Sequence, residues 1–201
     1  VDLVQHGWSL KGLHRMIMLS STYQLSSDDH EANAEIDGDN RYLWRMNRRR
    51  LDVEAWRDSL LAVSGNLDDE VGGENAPLTG NRRTVYAKVS RHELDELLRL
   101  FDFPDANVTS EKRTVTTVPQ QQLFVLNSDF VVQQAKALAR RLSAEGTTDE
   151  DRIRSAFQLL FARAPEPVEV TIGLEFLSAA GQDSDEKITP WEQYAQALLS
   201  L

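Results

Sequence analysis

Apolar residues recur at helical spacing through most of the chain. Leu10, Leu13, His14, Ile17 and Met18 fall at i, i+3, i+4, i+7 and i+8, which predicts a first helix to about Ser20 with Ser9 as its N-cap. A second helix is expected after the cap Asp52, with Val53, Trp56, Leu60 and Val63 facing inward and Gly65 as its stop. Pro119 suits the first turn of a short helix ending near Leu126, because its ring presets φ and the missing N–H is not needed there. Asn127 or Ser128 then caps a longer helix, Asp129–Ala144, with Phe130, Gln134, Leu138 and Leu142 in register and Gly146 beyond it. Two or three more helices follow, over Asp149–Phe161, Pro167–Ala180 and from Pro190 onward.

The stretches between these segments carry a different pattern. Ser26–Asn40 holds six acids, no base and few large apolar residues, which predicts a solvated loop. Asn66–Arg82 is rich in Gly, Asn and Asp and reads the same way. Thr84–Val89 alternates Val85, Ala87 and Val89 against Thr84, Tyr86 and Lys88, and is the best strand candidate. Leu94–Phe101 fits helix or strand, and Pro104–Val118 reads as extended or irregular. The expected fold is mainly α: an irregular multi-helix bundle with long loops and at most a minor β element. Residues 1–201 read as one domain, with the weakest seam near Gly146 and no internal repeat.

Composition narrows the function classes. At 201 residues, 41% hydrophobic and 27% charged, the chain is an ordinary globular one. Its clean apolar runs, such as Leu123–Leu126, reach only four residues, far short of a transmembrane helix. With no cysteine there is no disulfide, thiolate metal site or thiol nucleophile. A net charge of −10, from 32 acids against 22 bases, argues against a general nucleic-acid binder, which needs a basic footprint. Arginine dominates those bases, which favours fixed bidentate pairing. The opening at Val1 without a signal segment and the close within the apolar-periodic stretch Trp191–Leu201 read as the ends of an excised piece of a longer protein.

Four constellations could carry chemistry. Arg41, Arg45, Arg48, Arg49 and Arg50 stand within ten residues that contain no acid, beside Tyr42 and Trp44. Such a cluster grips sulfate, phosphate or carboxylate, or else pairs with the acids of Ser26–Asn40 and with Asp52, Glu54 and Asp58. His14, on the apolar face of the first helix, is either a general base or axial ligand in a cleft, or a buried, hydrogen-bonded core histidine. Glu54 and Asp58 share a helix face; paired carboxylates serve a hydrolase, yet on one helix they more often hold arginine, here Arg57 or the Arg48–Arg50 run. Asn33-x-Glu35-x-Asp37-Gly38 has the opening of a calcium loop but places Trp44 where the bidentate acid belongs. No zinc signature, nucleophile elbow, phosphate-cradling loop or dinucleotide fingerprint occurs, and no metal ligand set is assigned. The tryptophans Trp8, Trp44, Trp56 and Trp191 suit sugar stacking or core packing, with core expected.

Several longer phrases occur in a characteristic order: Gly7-Trp8-Ser9-Leu10-Lys11, Leu13-His14-Arg15, Ser20-Ser21-Thr22-Tyr23, the run from Asn40 to Asp52, Leu61-Ala62-Val63-Ser64-Gly65, Phe101-Asp102-Phe103-Pro104-Asp105, and Thr116-Thr117-Val118-Pro119-Gln120 through Leu126-Asn127-Ser128. From Gly7 onward the chain resembles a planctomycete-specific domain family of unknown function, found C-terminal in large exported proteins with a cytochrome-c-like domain. Phe161-Ala162-Arg163-Ala164-Pro165 followed by Glu169 resembles the family's Arg-x-Pro…Glu pattern, with imperfect spacing. The resemblance implies an extracytoplasmic parent protein whose haem sits in another domain, with no cofactor in this chain and sister domains as partners. It supplies no reaction and no catalytic residues.

Three functions follow as expectations. The leading one is a non-catalytic interaction or scaffold module of an exported, cytochrome-c-associated protein. A module for anionic polysaccharide would need Arg41–Arg50 accessible, whereas a scaffold would bury and pair them. A hydrolase would need His14, Glu54 or Asp58 to converge on a pocket with a perturbed pKa.

Overall fold

The computed structural model describes residues 2–105, 107–180 and 188–201. Among the described residues ten α-helices form: α1 (Asp2–Gln5), α2 (Leu10–Met18), α3 (Glu31–Ile36), α4 (Val53–Ser64), α5 (Glu96–Leu100), α6 (Pro119–Asn127), α7 (Asp129–Glu145), α8 (Asp149–Phe161), α9 (Pro167–Ala180) and α10 (Pro190–Leu199). Among the described residues there is no strand, so the fold is mainly α. The chain divides into two compact units, Val1–Arg50 and Leu51–Leu201. Gly146 lies within the second, between α7 and α8.

The second unit has the hydrophobic core. Its central helix is α7, which contacts α4, α6, α8 and α10, while α9 packs on α8 and α10. Val131, Ala135, Leu138 and Leu142 form the buried stripe of α7, facing Leu60 of α4, Ile153 and Phe157 of α8, and Ala195 and Leu198 of α10. Each fully buried large side chain of this set contributes about 1.5–3 kcal/mol. Stacking of Trp56 on Phe101, centroids 4.9 Å apart, extends the core toward α5.

Local signals set the helix ends. Thr148 and Asp151 form a capping box: Asp151 N donates to Thr148 Oγ1 at 3.1 Å and Thr148 N to Asp151 Oδ2 at 3.3 Å. Thr189 and Glu192 do the same for α10. Gly65 ends α4 at φ 79°, the left-handed conformation that costs a Cβ-free residue least. Gly173 lies in mid-helix for a different reason. A Cβ there would stand 2.7 Å from the Tyr194 hydroxyl and 2.9 Å from Ile153 Cδ1, so its absence sets how closely α9 approaches α8 and α10.

Two expectations are corrected. The alternating stretch Thr84–Val89 forms a 3-10 turn over Thr84–Tyr86, not a strand. Among the described residues its only ladder-like contact is an isolated bridge, Ala76 to Ala87. Thr84 is drawn instead onto α4, where Asp58 Oδ1 accepts from Thr84 N at 2.7 Å and Oγ1 at 2.6 Å. The acidic stretch Ser26–Asn40 is not all loop, because α3 occupies Glu31–Ile36. That helix runs through the positions of the would-be calcium loop.

The first unit is organised by polar groups. Its buried residues are Asp37 and Asn40, at 8% and 4% exposure, with no buried apolar side chain among its described residues. The Asp37 carboxylate accepts from Arg41 N at 2.9 Å and Tyr42 N at 2.8 Å, and its carbonyl accepts from Trp44 Nε1 at 2.9 Å. Asn40, at φ 55°, donates to Arg45 O at 2.7 Å and to Asn47 Oδ1 at 3.0 Å. Together they fold residues 37–47 into a tight loop without a core.

Candidate functional site

That loop fixes where the arginine cluster goes. Up to Arg45 the backbone is held by Asp37 and Asn40; from Met46 to Asp52 it has no regular secondary structure. Met46 N donates to Ser26 O at 2.8 Å, a backbone tie at the start of that stretch.

The side chains separate into two kinds. Arg45 is the anchored one: 22% exposed, 3.4 Å from Asp29 Oδ1 and 5.1 Å above the Trp44 ring. Arg41 and Arg48 are open to solvent at 81% and 67% exposure, each with one loose ion pair at 3.9 Å, to Asp39 and Asp29 respectively. Arg49 and Arg50 are exposed as well, and among the described residues Arg49 has no ion-pair partner. Tyr42 is 84% exposed beside them. Trp44 is half-buried, tied through its ring N–H rather than presented to a ligand. The acids of Ser26–Asn40 thus pair only loosely with Arg41, Arg45 and Arg48, since such exposed pairs contribute about 0–1 kcal/mol, and Arg45 is held in place mainly by its packing over Trp44.

The carboxylates expected beside the cluster are engaged elsewhere. Glu54 is gripped end-on by Arg113, Nη1 to Oε2 and Nη2 to Oε1 both at 2.7 Å, and Arg113 also stands 3.6 Å from Asp52. Arg113's hydrogen bonds hold the Glu54 carboxyl below its ordinary range, and the same pair raises the guanidinium. A general acid needs the opposite shift. Asp58 accepts from Thr84 and lies 3.7 Å from both Arg57 Nη1 and Arg83 Nε. The anticipated Arg57 partner is therefore present at Asp58, while Glu54 takes an arginine from the irregular segment before α6.

His14 is exposed, not buried, because α2 has no buried residue. It lies on α2 in the first unit, whereas Glu54 and Asp58 lie on α4 in the second. A cleft of about 410 Å³ beside α2 is lined by Leu3, His6, Ser9, Gly12, Leu13 and Met16, without His14. Among the described residues no three acidic or histidine side chains converge to hold a metal ion. The tryptophans divide: Trp56 and Trp191 pack against the core, but Trp8 is 68% exposed.

Sequence reasoning missed the most buried cation. Arg57 is 1% exposed and donates from Nε and Nη2 to Leu78 O at 3.1 and 2.7 Å, from Nη1 to Arg82 O and Thr84 Oγ1 at 3.0 Å each, and from Nη2 to Gly80 O. Burial lowers its pKa, yet the carbonyls around it satisfy the charge. The available signal was its position in the stripe Val53, Arg57, Leu60, Leu61, Ser64, where a charged residue sits in an apolar row. Arg82 repeats the device, donating to Glu70 O, Glu74 O and Gly72 O and lying over Tyr86. The two fix loop 66–83 through its backbone. Near the family-like pattern, Arg163 clamps Glu169 with two 2.7 Å bonds and lies over Phe157, which joins the end of α8 to the start of α9. That pair holds the Glu169 carboxyl down to about 2.

Fold and site define a mainly α-helical chain bearing an exposed arginine segment. Residues 1–177 match the family described as PSD1, protein of unknown function (DUF1553), and the chain belongs to that family. No curated protein and no solved structure matches it.

Proposed function

We propose that this domain is a non-catalytic interaction module whose ligand contact is the exposed segment Arg41–Arg50, and that the ligand class is anionic polysaccharide. One observation carries the reading: Arg41, Arg48 and Arg49 stand in solvent with loose ion pairs or none, next to exposed Tyr42. A sulfated or carboxylated polymer offers repeated planar or tetrahedral anions, which guanidinium groups bind in pairs. The hydrolase alternative draws less support, since Glu54 is locked to Arg113, Asp58 is committed to Thr84, and His14 does not line the cleft.

The setting is part of the same proposal. The domain would work beside sister domains of an exported, cytochrome-c-associated planctomycete protein, in an extracytoplasmic location, with haem held by another domain. The phrases from Gly7 to Ser128 are what support it.

A thermal-shift panel tests the ligand class. Sulfated and neutral dextran are compared at low and moderate salt, with calcium and haem as further members. Polymer at 100 times its Kd adds about 2.7 kcal/mol of stability, a readily measured shift. The reading expects a shift with sulfated dextran only, shrinking as salt rises. An equal shift with neutral dextran, or none with either, overturns it.

A further inference from the structure

We infer that the N-terminal helix pair α1–α2 is a docking face for an anionic lipid bilayer, which it meets with Trp8 and the apolar side of α2 while Lys11 and Arg15 engage head groups. This goes beyond the polysaccharide reading and does not depend on it.

The first observation is an apolar face with no cover. Leu10, Ile17 and Met18 of α2 are 62%, 45% and 54% exposed, although their helical spacing is that of a buried stripe. Trp8 is held outward by two successive left-handed residues, Gly7 at φ 64° and Trp8 itself at φ 60°, with its N–H on Leu3 O at 2.8 Å. A non-glycine residue in that conformation is uncommon, and here the turn presents an indole to solvent.

Charge selects the occupant. The chain carries 32 acids, yet from Leu3 to Ser27 there is none, so Lys11 and Arg15 leave that stretch net cationic. At 100° per residue, Lys11 and Arg15 project about 100–140° from Leu10, away from Leu13 and Ile17. A helix with an apolar face, a basic polar face and an adjacent tryptophan has the composition of one lying in a bilayer interface. No helix among the described residues is long and apolar enough to cross a membrane, so the pair would lie on the bilayer rather than span it.

Co-sedimentation with vesicles of equal phosphatidylglycerol and phosphatidylcholine, against phosphatidylcholine alone, decides the matter. The intact chain should pellet with the anionic vesicles and be released by high salt. Ile17→Glu should lower the partition about tenfold or more, and Lys11→Gln with Arg15→Gln by a similar factor. Both variants should keep the wild-type melting temperature, because α2 contributes nothing buried. Arg48→Gln with Arg49→Gln should leave vesicle binding within about twofold, which separates this face from the polysaccharide segment. Absence of pelleting overturns the inference, as does pelleting unaffected by Ile17→Glu or lost only with the Arg48 and Arg49 changes. Concentration-dependent self-association that Ile17→Glu abolishes would assign the face to a second copy of the chain instead.

Discussion

Helix α7 buries Val131, Ala135, Leu138 and Leu142, whereas α2, with Leu10, Leu13, Ile17 and Met18 at the same kind of spacing, buries none of them. The arginines divide in parallel. Arg57 in the second unit is enclosed by carbonyls, while Arg41 and Arg48 in the first stand in water. Periodicity therefore specifies which face of a helix is apolar, but burial also needs neighbours that present a matching face. The second unit has those neighbours in α4, α8 and α10. The first unit is folded by Asp37 and Asn40 instead, which leaves both its apolar and its cationic surfaces available.

Substitutions of one chemistry at both places sharpen the contrast. Leu138→Ala should cost about 2–5 kcal/mol in urea unfolding, and Leu13→Ala within about 0.5 kcal/mol; equal effects would dissolve the distinction. Arg57→Met should cost about 2–3 kcal/mol because the Leu78, Gly80 and Arg82 carbonyls lose their donor. Amide hydrogen exchange should then quicken in loop 66–83 ahead of α7.

Gly173→Ala is expected to destabilise by about 1–3 kcal/mol through overpacking against Tyr194 and Ile153. At an open mid-helix site the same change would stabilise by about 0.5–1 kcal/mol, so the sign alone tests the close approach.

A smaller effect is tied to pH. Glu54's folded pKa lies below its ordinary value of 4.5, so the ionised pair with Arg113 adds stability above that pH and loses it as pH falls toward the lowered value. Glu54→Gln should flatten the melting temperature across that acidic window while costing less than about 1 kcal/mol near neutrality. An unchanged acid limb would mean that the pair contributes nothing to stability.

The legible parts of this fold were those where one local signal suffices. Proline at Pro119 and Pro190, caps such as Asp52 and Ser128 and stops such as Gly65 predict α4 and the helices from α6 onward nearly to the residue. The strand at Thr84–Val89 failed because alternation needs a partner strand, and Asp58 claimed Thr84 first. Helix α3 was hidden because six acids resemble a loop whether or not their backbone is coiled. The Arg41–Arg50 cluster was visible in the sequence. Its division into anchored Arg45 and open Arg41, Arg48 and Arg49 was not, because a left-handed Asn40 and the doubly accepting Asp37 set it. The long-range partner of Glu54 was likewise out of reach of spacing arguments, since Arg113 lies in a segment without regular structure.

The most direct test of the central claim is calorimetric titration of sulfated dextran into the intact chain and into the Arg48→Gln, Arg49→Gln variant at several salt concentrations. Both proteins should melt within about 0.5 kcal/mol of each other in stability, since the two side chains are exposed. The account predicts binding by the wild type that weakens steadily with salt and is lost in the variant. Equal binding by both proteins, or none by the wild type at low salt, would contradict it.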